Sequence, residues 1–281
     1  MPIRVTTADQ TFRDVLAEAT RPQIGMWVCS GSPLVAEICA GSGLDWLLID
    51  TEHSPNGLES TLSQLQAVHG YPVIPLVRPP LGDRVIVKQL LDLGAQNLLI
   101  PMIDDADAAR EMVAAVRYPP HGVRGVGSAL ARAARWNRID DYLANADSTI
   151  SLFVQIETVA AVANIAEIAA VDGIDGLFIG PSDLAASMGL LGQQDHPDVI
   201  AAVEHCIRTT AALGTPVGVN AFAPALAERY LAAGASFVLV GADVALLARG
   251  SEALAQTYIT DRATSGAPSA LEPDQAPRAS Y

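Results

Sequence analysis

The sequence predicts a (β/α)8 TIM barrel formed by residues 1–259 as a single domain, and three observations predict it. Eight apolar runs of strand length recur along the chain, each followed by an Ala- and Leu-rich stretch with a polar face, with no series of strands alone. Two of these runs end in a carboxylate at the point where the hydrophobic pattern stops, Glu157 and Asp183, so both acids come to one rim if the strands are parallel neighbours. No Gly-x-Gly-x-x-Gly follows the first run, which weakens the rival architecture, a doubly wound open sheet. A chain of 281 residues that is 50% hydrophobic can fill such a core, and barrels of about 250 residues are routinely one domain.

In chain order, residues 11–19 read as a short amphipathic helix able to plug the bottom of the barrel. Strands are expected at 24–29, 46–50, 73–78, 97–102, 150–157, 176–180, 217–220 and 237–241. Helices are expected near 33–42, 58–68, 83–93, 104–116, 158–169, 197–213, 223–233 and 243–258. The connection from Arg117 to Arg138 is too long to be an ordinary loop; such segments are functional or carry small helices of their own. It precedes the fifth strand and so starts at the bottom rim, and must wrap upward or reach a neighbouring subunit to touch chemistry. Residues 260–281 are rich in Pro, Ala and Ser without period and are expected to be disordered.

Composition excludes some classes. A net charge of -14 argues against a nucleic-acid partner, since phosphate backbones demand clustered Lys and Arg. Cys29, Cys39 and Cys206 are odd in number and lack the paired spacing of a zinc site, so free thiols in a reducing compartment are expected. No N-terminal stretch pairs a basic flank with an apolar segment, and no apolar run is long enough to span a bilayer, so the expectation is a cytoplasmic protein without a membrane partner.

The strand ends bring together Trp27, then Asp50, Glu52 and His53, then Arg78, then Gln155 and Glu157, and finally Pro181, Ser182 and Asp183. Two acids suit a hard divalent cation, Arg78 suits a developing anion, and His53 can move a proton, which together suit enolate chemistry. Each has a plainer reading: Glu157 and Asp183 as helix caps, His53 as a solvated loop residue, Arg78 as a surface residue, Trp27 as core. Pro79 and Pro80 favour the functional reading of Arg78, because they fix the backbone just past it. The N–H groups of Ser182 and Asp183 at a helix start would cradle a carboxylate.

The motifs Asp50-Thr-Glu-His53, Val77-Arg-Pro-Pro80, Arg117-Tyr-Pro-Pro-x-Gly-x-Arg-Gly125, Gln155-Ile-Glu157 and Gly180-Pro-x-Asp-Leu184 resemble those of the HpcH/HpaI family of metal-dependent (class II) pyruvate aldolases, over about residues 24–249. The resemblance implies reversible aldol cleavage of 4-hydroxy-2-oxo acids, giving pyruvate or hydroxypyruvate and an aldehyde, with Mg²⁺, Mn²⁺ or Co²⁺ as cofactor. It implies Glu157 and Asp183 as metal ligands and Arg78 as enolate stabiliser. It makes His53 part of the proton-transfer apparatus, working with an Asp that matches Asp92, and Gln155 a neighbour of the metal-bound donor; Trp27, Asp50, Ser182 and Asp183 are expected around the substrate from their places at the strand ends. It also implies a hexamer built as a dimer of trimers. Asp92 lies at the far end of the helix after strand three, roughly 15 Å below the rim, so a partnership with His53 requires a neighbouring chain. The only lysine, Lys88, falls inside a predicted helix, away from the strand ends where a Schiff-base amine would sit. Two other readings remain: a lyase of acyl-CoA esters, which needs a basic groove that 17 Lys and Arg poorly supply, and a barrel that binds without catalysis, which predicts a damaged rim.

Overall fold

The computed structural model describes residues 3–4 and 10–259. Eight parallel strands close into a barrel in sequence order: β1 (Gln23–Val28), β2 (Trp46–Asp50), β3 (Ile74–Arg78), β4 (Asn97–Ile100), β5 (Ser151–Ile156), β6 (Gly176–Ile179), β7 (Val217–Asn220) and β8 (Phe237–Ala242). Closure comes from β1 on β8, with Gln23 opposite Phe237 and a register shift between Gly25 and Trp27. The expected eight-strand barrel is therefore the fold, while the expected tail at 260–281 lies outside the described residues.

Strand alternation divides the core in two. One set of side chains faces the helices and forms a Val-, Ile- and Leu-rich layer. The other fills the barrel: Trp27, Trp46, Leu48, Leu76, Leu99, Phe153, Phe178, Phe237 and Leu239. The first helix, α1 (Phe12–Glu18), stoppers the bottom as expected. Phe12 is fully buried, its ring 5.2 Å from Trp46, 5.4 Å from Phe153 and 5.3 Å from Phe237, and its N–H donates to Asn97 at 2.7 Å. Thr11 and Asp14 close a capping box that fixes where this helix starts. Space for the indole of Trp46 exists only because β1 carries Gly25, where a Cβ would lie 2.5 Å from the ring.

The outer helices are α2 (Pro33–Ala40), α3 (Leu58–Val68), α4 (Arg84–Asp92), α5 (Ala106–Val116), a short α6 (Tyr142–Asn145), α7 (Val159–Ala163), α8 (Ile165–Ala169), α9 (Pro181–Ser187), α10 (Pro197–Ala212), α11 (Pro224–Ala233) and α12 (Asp243–Tyr258). Three departures from the sequence reading have local causes. The helix expected over 158–169 is two, broken at Asn164, whose side-chain amide donates to the Asp104 carbonyl at 2.8 Å. The strand expected to reach residue 102 ends at Ile100, and Met102 turns into the left-handed region at φ 55°. The helix start expected at Ser182 and Asp183 belongs to a short separate helix, α9, which follows Gly180 directly with Pro181 in its first turn.

The long segment between α5 and β5 carries helical turns at Arg132–Ala134, Tyr142–Asn145 and Ala146–Thr149. It packs at the C-terminal end of α4 in its own chain: Arg124 pairs with Asp92 and Arg132 donates to the Leu93 carbonyl at 2.9 Å.

Candidate active site

Inward parity places the site. Counting every second residue up the strands from the aromatic layer leads from Trp46 through Leu48 to Asp50, from Leu76 to Arg78, and from Phe153 through Gln155 to Glu157. Asp50, Arg78, Gln155 and Glu157 are all buried, at 1%, 5%, 3% and 2% exposure, which is where charge requires a reason.

Arg78 is the centre. Its Nε donates to Asp50 Oδ1 at 2.8 Å, its Nη1 lies 2.9 Å from Glu52 Oε2 and 3.5 Å from Gln155 Oε1, and its guanidinium carbon sits 4.2 Å from the centroid of the Trp27 ring. Trp27 is itself fixed by a 2.9 Å bond from Nε1 to Asn220 Oδ1. Asp50 accepts further bonds from the Glu52 and His53 N–H groups, both at 3.1 Å, so one carboxylate orders both the guanidinium and the turn that carries the histidine. The His53 imidazole is itself exposed, with Nε2 3.7 Å from Glu52 Oε2.

Glu157 is held differently. It accepts the Met102 N–H at 2.8 Å and a bond from the Gln155 amide. Burial, with the Asp183 and Glu52 charges adding to it, pushes its carboxyl up to about 7. Gly180 lets the β6–α9 turn pass close by, since a Cβ there would stand 2.8 Å from Glu157 Oε2. Asp183, in the first turn of α9, is exposed, and its field reaches both Glu157 and Glu52. The Ser182 hydroxyl donates to Gln194 Oε1 at 2.9 Å.

Of the residues singled out in the sequence, the structure gathers Trp27, Asp50, His53, Arg78, Gln155, Glu157, Ser182 and Asp183 at the C-terminal end of the barrel. Asp92 is not among them. It closes α4 and meets Arg124 Nη2 at 3.1 Å, with Arg124 stacked 4.5 Å over Tyr118. Lys88 lies in α4, away from the rim. Four residues escaped the sequence reading or had no role in it: Glu52, Asn220, Met102 and Asp243. Asn220 closes β7 on the inward parity, a signal that was present; Met102 acts through its N–H and left none. Asp243 accepts from the N–H groups of Cys29 and Ser30 at 2.8 and 3.0 Å, tying the start of α12 to the end of β1.

Residues 23–250 match the HpcH/HpaI aldolase/citrate lyase family. The chain belongs to that family. A 4-hydroxy-2-oxo-heptane-1,7-dioate aldolase from Salmonella dublin is 56% identical over 256 residues, covering 91% of this chain and 97% of the relative. Among solved structures, an HpcH/HpaI aldolase/citrate lyase family protein from Burkholderia cenocepacia J2315 shares 38% identity with a TM-score of 0.83, covering 88% of this chain and 98% of that one. An HpcH/HpaI aldolase from Desulfitobacterium hafniense DCB-2 shares 30% identity with a TM-score of 0.81, covering 90% and 98%. This family member is an aldolase, a carbon–carbon lyase whose cleavage yields pyruvate and an aldehyde. Among its described residues no helix is long and apolar enough to cross a membrane.

Proposed function

We propose that the site cleaves 4-hydroxy-2-oxo acids reversibly, that Glu157 and Asp183 hold a divalent cation, and that Arg78 and His53 carry the charge and the proton. The observation that carries this reading is the buried Arg78 guanidinium at the barrel mouth together with a buried Glu157 that lies in the field of Asp183 and is short of counter-charge. The fit to a hard cation rests on that shortage: two oxygen-donor side chains, one raised to about 7 by burial and by the other's charge, are relieved by positive charge between them. In this reading two carboxylates are the protein's share; among the described residues no group of three or more His, Cys, Asp or Glu suited to a metal occurs. When bound, the cation supplies Lewis acidity at the oxygens of the 2-oxo acid.

The protein's own groups do the rest. Arg78, locked by Asp50, Glu52 and Trp27, offers its remaining donors to the enolate oxygen as charge develops there. Gln155, beside both Arg78 and Glu157, orients the donor substrate. His53 takes the proton of the 4-hydroxyl as the C3–C4 bond breaks and returns it in synthesis. The named relative's diacid is the first substrate to try, with pyruvate or hydroxypyruvate as donor in the reverse direction. Exhaustive chelation is expected to abolish cleavage and added Mg²⁺, Mn²⁺ or Co²⁺ to restore it; full activity in the stripped protein would end the reading.

The same reading makes the active unit a homo-oligomer, a dimer of trimers, in which Asp92 of one chain serves His53 of another. Three features support it: Asp92 keeps company with Arg124 and not His53 in its own chain, His53 is exposed, and α12 leaves Val244, Leu246, Leu247 and Leu254 exposed with Asp243 as its only buried residue. Mixed assemblies of His53→Ala and Asp92→Ala chains should regain activity that neither parent has; failure to complement would place the pair elsewhere. Three free thiols, two of them buried, fit a reducing cytoplasm.

A further inference from the structure

Arg78 already has a counter-ion. Asp50, almost fully buried, takes its Nε at 2.8 Å, and the Trp27 face covers the guanidinium. A second, partly buried carboxylate at the same cation, Glu52 with its side chain 15% exposed, gives up hydration while sharing a positive charge that Asp50 already neutralises. Burial, together with the Asp50 and Asp183 charges, holds its carboxyl above the usual range against the opposing fields of Arg78 and His53. Stability therefore does not explain Glu52, and its geometry does. Oε2 lies 2.9 Å from Arg78 Nη1, yet the contact lacks hydrogen-bond alignment, and this buried oxygen is left with no hydrogen-bond partner. On its other side, 3.7 Å away, is His53 Nε2. The backbone of Glu52 is anchored by its N–H to Asp50 Oδ1, so the carboxylate stays between the two groups.

We infer that Glu52 is a positioning residue for the aldol step, a single carboxylate set between Arg78 and His53 that steadies the guanidinium and supplies the counter-charge for the imidazole while it carries the hydroxyl proton. The inference rests on the aldolase mechanism proposed above. In cleavage the 4-hydroxyl proton passes to His53, the C3–C4 electron pair becomes the enolate, and the carbinol carbon becomes the aldehyde carbonyl. The imidazolium formed carries its new charge beside Glu52 Oε2, 3.7 Å from Nε2, and that carboxylate supports it electrostatically until the hydroxyl proton is returned in the reverse direction.

The test is a double-mutant cycle on the Mn²⁺-loaded full-length protein: wild type, Glu52→Gln, His53→Ala and the double variant, each assayed for release of pyruvate from racemic 4-hydroxy-2-oxopentanoate. The glutamine can still accept from Arg78, and thermal unfolding checks that each variant is folded. Glu52→Gln is expected to lower kcat by about 10-fold or more with little change in KM, and to cost less than about twofold further once His53 is alanine, because a residue acting through a missing partner has nothing left to lose. Oxaloacetate decarboxylation, which forms the same enolate without removing a hydroxyl proton, should fall less in Glu52→Gln than cleavage does. Equal kcat in wild type and Glu52→Gln, or losses that multiply in the double variant, overturns the inference while leaving the aldolase intact. A wild type that cleaves no 4-hydroxy-2-oxo acid overturns the underlying mechanism and the inference with it.

Discussion

The two ends of the barrel interior are built from the same strands and obey opposite rules. At the bottom, the rings of Phe12, Trp46, Phe153 and Phe237 pack against one another, and the few polar groups are matched: Asn97 receives the Phe12 N–H and the Ser151 hydroxyl and donates to the Pro75 carbonyl. At the top, four residues beyond Trp46 on β2 and four beyond Phe153 from β5, buried charge accumulates. Glu157 is raised to about 7, Glu52 keeps a buried oxygen that is ion-paired to Arg78 but has no hydrogen bond, and Met102 holds a left-handed backbone whose N–H reaches Glu157. One end is satisfied and stabilises the fold. The other keeps electrostatic demands open for substrate and cation to meet, which is how a barrel separates stability from chemistry.

This contrast can be broken at either end. The largest expected effect is at the bottom: Phe12→Ala should cost about 3–5 kcal/mol of unfolding free energy, measured by denaturant titration, while leaving KM unchanged in the folded fraction. A variant of full stability but impaired catalysis would show that the plug is not the structural end. At the top, Arg78→Lys should keep the fold and slow exchange of the pyruvate methyl protons in D₂O by about 100-fold or more, since an ammonium cannot reproduce the guanidinium's fork. Exchange at the wild-type rate would give Arg78 some other task.

A further expected effect is in the pH dependence of the cation-free protein. Burial first, then the neighbouring acids, raise the Glu157 carboxyl from an ordinary 4.5 to about 7. Its folded value therefore lies above its unfolded value, so the folded state binds the proton more tightly; that contribution is fully present below about 4.5 and is lost as pH rises through 7, by about 3 kcal/mol in all. Unfolding free energies between pH 4.5 and 8 should show this loss, Glu157→Gln should flatten it, and a saturating divalent cation should offset it at the alkaline end. A cation-free protein whose stability is flat across that window would mean the top is as satisfied as the bottom.

Much of this was legible in the residues. The alternation of strand-like and helix-like runs dictated the barrel, because hydrophobic periodicity is local and the right-handed β/α unit has few ways to repeat. Strand ends named Asp50, Arg78, Gln155 and Glu157, because the parity of a buried strand carries every second side chain inward to the same rim, and His53 and Asp183 because the turns just past those ends lie at that rim. What the sequence could not express are contacts between segments far apart in the chain. Asn220 fastening Trp27, which lies 193 residues away, and Met102 fastening Glu157 through a backbone N–H, exist only once the barrel has closed. The place of Glu52, flanked by Arg78 on one side and His53 on the other, was likewise decided by the tertiary structure. A carboxylate in a sequence carries only its charge; which groups share that charge is set by distances that closure alone creates.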